Sequence, residues 1–551
     1  MSSKNKSPLR WILARIRRFI PAIIGVSILN ALLSVSYVVV ALVSREIIDS
    51  TDKNRLLLSA IILIGLVVAE LITNTLLSVI NVRLGGKITI SLRNYMFSSL
   101  VHKKYAGVFD HHTGDLLNRF TSDIDHIVSG ATSIVPNVVY MISKLIAGMG
   151  ALFALNTKLA IIVLVLGFTL PMLGRNISKR YKYMHKEVQR TEGQARAFLQ
   201  ESFANVVVIK TFISEAPILK KLNEYMKENL KMKIKRNFVS ALITLCLHSF
   251  FTLGYYVVLI WGAAQLSAGL LTYGTLNAYL QLISQLRAPL QNVSGILPQY
   301  YSTLASAERL IDLENIENEP DPIKEDKLAP LRESFDGIKI ENLAFSYGDE
   351  VILRNCTFSV PRGGITAITG ESGSGKSTLF KILLGLYEPD GGSAAFGDGT
   401  PINAGTRGMF SYVPQGNMIL SGTIRDNITL CNEEVSDEQI EKAARAAVIY
   451  DFIKELPDGF DTVLSERGAG LSEGQVQRIS IARALLFDAP ILLLDESTSA
   501  LDEQTETELL SNIKSMTDKT VLFITHRNTS ISVCDHIIHV ENKKFTAIKQ
   551  G

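Results

Sequence analysis

From Asn237 to Leu286 the chain runs for 50 residues without an Asp, Glu, Lys or Arg. Helices of a soluble core do not need such a run, because they turn a polar face to water. A bilayer does need it. About 20 apolar residues carry one helix across the hydrocarbon, and the backbone polar groups must be satisfied within the segment itself. The run is long enough for two spans separated by a turn near Gly269 to Gly274. Four more stretches share its character: Phe19 to Ser44 is uncharged, Leu56 to Val82 holds only Glu70, Ile127 to Leu155 only Lys144, and Leu159 to Gly174 is uncharged. Six spans are expected, all in the N-terminal part of the 551-residue chain.

Charge sets their orientation, because cytosolic loops are enriched in Lys and Arg. The segment before Phe19 contains Lys4, Lys6, Arg10, Arg15, Arg17 and Arg18 and no acid, and the connections at 83–126 and 175–236 carry 6 and 15 cations. The connections at 45–55 and 156–158 carry 3 and 1. Both termini and the two long connections are therefore expected in the cytosol. Those connections have helical periodicity and read as membrane helices continuing far into the cytosol. Leu9, Ile12, Leu13, Ile16 and Ile20 fall on one helical face, which predicts an interfacial helix over 1–18 lying on the inner leaflet. A secretory signal peptide is not expected, since no small-residue cleavage site follows a short apolar core.

The overall balance is narrow: 47% hydrophobic residues and a net charge of +3. No global basic excess points to nucleic acid. The four cysteines, Cys246, Cys356, Cys431 and Cys534, lie far apart with no C-x-x-C and are expected as free thiols. Residues 308–336, acidic and containing Pro320, Pro322 and Pro330, read as a linker between a membrane domain at 19–307 and a second domain at 337–551.

That second domain opens with a nucleotide signal. Gly370-Glu371-Ser372-Gly373-Ser374-Gly375-Lys376-Ser377-Thr378 fits G-x-x-x-x-G-K-[ST]. Ile365 to Thr369 has strand propensity and Leu379 to Leu384 reads as the following helix. Glycines let successive N–H groups turn toward phosphate oxygens, and the helix N-terminus adds partial positive charge. Lys376 offers a point charge to the β- and γ-phosphates, and Ser377 a hydroxyl to Mg²⁺.

Further residues follow in a fixed order: Tyr347 before the loop, Gln415 after it, then Leu471-Ser472-Glu473-Gly474-Gln475, Ile491-Leu492-Leu493-Leu494-Asp495-Glu496, Ser499-Ala500-Leu501-Asp502 and His526. In identity and order this set resembles the ATP-binding-cassette (ABC) family, over residues from about 337 to the end. The resemblance implies that Tyr347 stacks on adenine, that Asp495 and Gln415 join Ser377 at Mg²⁺, that Glu496 polarises the attacking water, and that His526 is the switch histidine. It implies that Ser472, Gly474 and Gln475 belong to a signature motif that completes the ATP site of another cassette. One cassette per chain then implies a dimer with two ATP molecules between protomers. With every catalytic position filled, a homodimer is favoured, and a heterodimer with a second half-transporter is the alternative. Glu473 departs from the family's glycine. Its charge suits a helix's first turn but repels a triphosphate.

Two stretches of the long connections resemble the coupling pieces of ABC exporters: Phe109-Asp110-His111-His112-Thr113-Gly114-Asp115-Leu116 with Arg119 and Asp123-Ile124-Asp125, and Asn205 to Glu215. The expected fold is an α-helical polytopic membrane domain with six spans, joined to an α/β P-loop nucleotide-binding domain. The implied function is ATP-driven export of a peptide, lipid or amphipathic small molecule. The alternatives are an importer on the exporter fold and an ATP-gated channel or regulator. The N-terminal cysteine protease domain that some peptide exporters carry is not expected, because the first span starts near residue 19.

Ionisable groups inside spans are costly and tend to face a cavity or each other. Glu70, Lys144, His248 and Arg287 are such groups. Glu70 and Lys144 suit a pair between neighbouring helices. The sharper reading is a polar patch in the translocation cavity, leaning cationic through Arg287 and suited to an acidic substrate group. His248 reads as a packed core histidine.

Overall fold

A computed structural model describes residues 7–109, 111, 113–173, 175–416, 419–464 and 470–548. The coupling residues Asp110 and His112 and the side chain of Cys246 lie outside the described set. The chain divides into two compact units: residues 1–98 with 113–315, and residues 99–112 with 316–551.

Among the described residues, the first unit is built from helices. Helix α1 (Pro8–Ile16) precedes α2 (Ile20–Asp49) and α3 (Lys53–Val101). Short α4 (Tyr105–Phe109) belongs to the second unit. The chain returns through α5 (Thr113–Asn118), α6 (Ile124–Ser129) and α7 (Val135–Leu155), joined by wide π-type turns at Arg119–Asp123 and Gly130–Ile134. Next come α8 (Thr157–Leu173), α9 (Arg175–Ala204), α10 (Val206–Thr211), α11 (Glu215–Ser267) and α12 (Tyr273–Glu314). The six apolar stretches fall on α2, α3, α7, α8, α11 and α12. Among the described residues, the runs Pro8–Asp49, Lys53–Val101 and Thr113–Leu155 meet the length and apolarity needed to cross a membrane.

Polar contacts fasten both ends of this unit. Asp49, closing α2, accepts from Gly274 N at 2.8 Å and Thr272 Oγ1 at 2.6 Å, which caps α12. Asp123 is 1% exposed and accepts from Ser306 Oγ at 2.9 Å and Arg309 Nε at 2.7 Å. Arg119 bridges Asp115 at 2.7 Å and the Arg309 carbonyl at 2.8 Å. The Asp115–Arg119–Asp123 part of the first coupling stretch thus anchors the returning helix to α12. Helix α12 also runs to Glu314, past residue 308 where the sequence places the start of the linker. Buried Leu310, Ile311 and Leu313 continue its packed face, which outweighs the acidic composition.

The second unit continues through α13 (Glu325–Ser334) into the cassette. Strands β1 (Gly337–Tyr347), β2 (Glu350–Pro361) and β4 (Gly391–Phe396) form an antiparallel sheet in the order β2-β1-β4. The larger sheet is built from β3 (Gly364–Gly370), β5 (Phe410–Val413), β8 (Ile491–Asp495), β9 (Thr520–Ile524), β10 (His536–Glu541) and β11 (Lys544–Ile548), in the order β11-β10-β3-β9-β8-β5. All its pairs are parallel except β10 with β11. All five residues of β8 and of β9 are buried, as strands covered on both faces must be. The helices are α14 (Lys376–Leu383), α15 (Ile424–Thr429), α16 (Asp437–Ala446), α17 (Tyr450–Glu455), α18 (Glu473–Phe487), α19 (Glu503–Lys514) and α20 (Asn528–Ile531), and β6 (Gly422–Thr423) pairs with β7 (Val463–Leu464). Two apolar clusters cover the two faces of the large sheet. Parallel neighbours β3, β9 and β8 end at one edge, which brings Gly370, Asp495 and the residues after Ile524 together.

Candidate active site

At that edge the chain leaves β3, turns through Glu371 to Ser374 and enters α14. Gly375 forms the entry with φ 98°, and a Cβ there would meet Leu353 Cδ2 at 2.8 Å. Only glycine takes this conformation without strain. Lys376 is 5% exposed, and its ammonium donates to the Gly370 carbonyl at 2.9 Å and the Glu371 carbonyl at 2.7 Å. Burial pushes its pKa below the ordinary lysine value, against the attraction of Glu496 and Asp495. The Ser374 hydroxyl oxygen is buried without a hydrogen-bond partner, a position that a phosphate oxygen would satisfy. Ser372 and Gly373 are exposed at the tip of the loop, and Thr378 is buried beneath it.

Asp495, at the end of β8, accepts from Ser377 Oγ at 2.9 Å and from the Tyr412 hydroxyl at 3.3 Å. It is 1% exposed. Burial raises its carboxyl above the usual range, and the hydrogen bonds from Ser377 and Tyr412 oppose that rise. Glu496 follows in the left-handed region with φ 48°, which costs a non-glycine residue about 1–3 kcal/mol and persists only where its surroundings enforce it. Its amide bonds the Ile524 carbonyl of β9 at 3.2 Å. Its carboxylate accepts from Gln415 Nε2 at 2.6 Å and lies 3.3 Å from His526 Nε2. Lys376, Ser377, Gln415, Asp495, Glu496 and His526, read from the sequence, thus form one connected cluster.

The signature residues sit elsewhere on the cassette. Ser472 caps α18, with its hydroxyl accepting from Gln475 N at 3.3 Å while Gln475 Oε1 accepts from Ser472 N at 2.8 Å. The helix therefore starts at Glu473, directly after this cap. Glu473 is an exposed first-turn residue. Gly474 has no such latitude, because a Cβ would meet the Ala500 carbonyl at 2.9 Å. Among the described residues, no hydrogen bond or ion pair joins Ser472, Gly474 or Gln475 to the P-loop of the same chain. Tyr347 ends β1 in an aromatic cluster, with ring centroids 4.9 Å from Phe345 and 5.2 Å from Tyr387.

Several residues of the site were not read from the sequence. Arg527 donates to the carbonyls of Ser499 at 2.7 Å and Leu501 at 2.8 Å and to Glu506 at 2.8 Å, and buried Glu506 also accepts from Thr498 and Ser530 at 2.6 Å. Gln477 reaches Ser499 Oγ and the Ala500 amide from α18. Position beside His526 was the one signal for Arg527. Tyr412, on Asp495, had none.

In the membrane unit, Glu70 and Lys144 form no direct ion pair. Tyr37 stands between them: the Lys144 ammonium lies 4.4 Å from the centroid of its ring, and its hydroxyl faces Glu70. Lys144 also donates to the Tyr140 hydroxyl at 3.0 Å. The aromatic face takes the place of a carboxylate because it attracts a cation at little desolvation cost. His248 is exposed rather than packed in a core, and its Nδ1 accepts from the Arg287 guanidinium.

Comparison with known proteins agrees with both halves. The ABC transporter transmembrane region matches residues 19–290, and the ABC transporter family matches residues 353–499. The chain is 32% identical over 485 residues to an ATP-dependent lipid A-core flippase of Desulfotalea psychrophila, covering 85% of this chain and 82% of the relative. It is 30% identical over 500 residues to the corresponding flippase of Salmonella typhimurium, covering 89% and 85%. A solved bacterial Atm1-family ABC exporter with ATP bound superposes with a TM-score of 0.78 at 25% identity, covering 96% of this chain and 95% of that one. The helical half is accordingly a multi-pass membrane domain, the cassette is a cytosolic ATPase coupled to transport, and a half-transporter of this exporter fold acts as a dimer. On both matches and the shared fold, the chain belongs to the ABC transporter family.

Proposed function

We propose that two copies of this chain form a homodimeric exporter that moves an amphipathic, lipid-like molecule with an acidic group across the membrane. The reading of hydrolysis rests above all on Glu496, held in a strained backbone by β9 and gripped on its carboxylate by Gln415 and His526. Glu496 takes the proton of a water as that water attacks the γ-phosphorus. The bond to the leaving phosphate oxygen breaks, and ADP departs. His526 keeps the carboxylate aimed. Tyr347 stacks on adenine. Gly370 to Thr378 cradle the phosphates, with the Ser374 hydroxyl and the Lys376 ammonium turned to them.

The donor set suits Mg²⁺, which prefers hard oxygen ligands. Ser377 Oγ and Asp495 Oδ1 lie 2.9 Å apart, and Gln415 keeps its amide oxygen while its nitrogen serves Glu496. These residues would hold the ion, and it would supply charge neutralisation at the β- and γ-phosphates. A bound cation would also favour the ionised form of Asp495 against the upward push of burial.

The filled catalytic set favours two identical chains, and two observations support the dimer itself. Ser472, Gly474 and Gln475 are free to face the ATP of a partner. The second cytosolic bend leaves Val207, Phe212 and Ile213 on the surface at 73%, 73% and 83% exposure, an apolar tip that a partner cassette would cover. Arg287 with His248 supplies a polar, cationic contact for an acidic headgroup, in keeping with the lipid A-core flippases among its relatives.

The test is transport in proteoliposomes. Glu496→Gln is expected to bind ATP and to neither release phosphate nor move fluorescent lipid. Turnover at the wild-type rate overturns the base assignment. Wild-type lipid movement after Arg287→Ala overturns the headgroup contact.

A further inference from the structure

The first cytosolic bend is part of the nucleotide-binding unit, and its link to the site is aromatic. Tyr105 of α4 stacks on Phe109 at 5.2 Å and meets Tyr387 edge to face, with centroids 5.6 Å apart at 84°. Tyr387 follows α14 and is half-buried. Its ring lies 5.2 Å from Tyr347, again edge to face at 84°, and 5.4 Å from Phe345. One side chain therefore touches both the bend and the aromatic read as the adenine platform.

The bend is fixed in this place by independent contacts. Lys104 ion-pairs with Glu388, next to Tyr387, at 3.1 Å and with Glu317 at 2.9 Å. Its amide donates to the Glu317 carbonyl at 2.9 Å, and the Glu319 amide donates to the His102 carbonyl at 2.8 Å, so 102–104 and 317–319 pair as a short antiparallel ribbon. Gly107 approaches Ile316 so closely that a Cβ would meet its Cγ2 at 2.7 Å. Arg407 holds the other side of the ribbon, donating to Glu319 at 3.0 and 3.2 Å and to the Leu384 carbonyl at 2.9 Å, just before Tyr387.

We propose that Tyr387 is a positioning residue that ties the bend, through Tyr105, to the adenine-stacking Tyr347, so that the position of the bend sets the affinity for ATP. The proposal rests on the reading of Tyr347 as the adenine platform. A shift of the bend moves Tyr105, tilts Tyr387 and changes the face that Tyr347 offers. By reciprocity, ATP on Tyr347 favours one position of the bend. The ion pairs of Lys104 are too exposed to carry this alone. They keep the ribbon in register while the rings transmit.

The test is a double-mutant cycle on the full chain in nanodiscs of phosphatidylethanolamine and phosphatidylglycerol, with ATPase rate followed against ATP concentration. Tyr105→Leu and Tyr387→Leu are each expected to raise KM for ATP by about two- to tenfold, the worth of one aromatic contact, with kcat within about twofold of wild type. The double variant should show no more than the larger single effect, since both changes cut one path. Tyr105→Phe and Tyr387→Phe should restore the wild-type KM, because the ring and not the hydroxyl makes the contact. Tyr347→Leu is the control for the underlying reading, and unchanged KM there overturns the adenine platform itself. A raised KM in Tyr347→Leu overturns the relay alone if Tyr105→Leu or Tyr387→Leu has wild-type KM, or if their effects multiply. Tyr105 lies on the bend, outside the ATPase sheet, so its variants read the relay even if Tyr387→Leu folds poorly.

Discussion

The two halves of this chain use apolar residues in opposite ways. In the cassette, the apolar runs of β8 and β9 are fully buried and deliver Asp495, Glu496 and His526 to one edge. In the membrane half, the most apolar window of Lys53–Val101 is only 6% buried. Its Leu, Ile and Val side chains face outward, where lipid replaces protein. The cassette thus gets its function from a few polar groups at fixed distances, and the membrane half gets its place from the absence of polar groups. Polar exceptions inside its spans, Lys144 and Arg287, are met by the Tyr37 ring and the His248 imidazole.

The contrast predicts sharp, local effects in the cassette and shallow ones in the membrane half. The largest is Glu496→Gln, which should lower ATP turnover by about 100-fold or more with ATP binding retained, measured by phosphate release and nucleotide binding. Gly474→Ala forces a methyl onto the Ala500 carbonyl and should cost about tenfold in turnover. Its neighbour offers the counter-test. Glu473→Gly removes an exposed first-turn acid and should leave turnover within about twofold. A large gain there would show that the charge acts on the phosphates.

In the membrane half, Lys144→Ala removes the cation on the Tyr37 ring and the donor to the Tyr140 hydroxyl. It should lower the melting temperature in detergent by about 2–4 °C and leave KM for ATP unchanged. A changed KM would break the separation between the halves. The smallest effect is at the thiols. Burial pushes Cys534 up to about 12 and also raises Cys356, whereas Cys431 is exposed. Maleimide at neutral pH should label Cys431 well before either buried thiol, as read by mass spectrometry of cassette peptides.

How much of this was legible in the sequence follows the same division. Chemistry that demands particular residue types in order was readable, which is why Lys376, Ser377, Asp495, Glu496 and His526 could be named before their cluster was seen. Spans were readable because a charge in lipid is costly and therefore rare. Contacts made across long sequence separations were not. Tyr412 reaches Asp495 from another strand, Arg527 and Glu506 grip 498–501, and Tyr37 intervenes between Glu70 and Lys144. None of these residue types is unusual where it stands. The end of α12 was misplaced because acidic residues were weighed above the buried Leu310, Ile311 and Leu313.

The central claim is that hydrolysis needs two copies, each lending Ser472 and Gly474 to the other's ATP. The direct measurement is ATPase activity in nanodiscs sorted to hold one copy or two. Turnover confined to the two-copy discs is the result expected here. Equal turnover per chain in one-copy discs would contradict it.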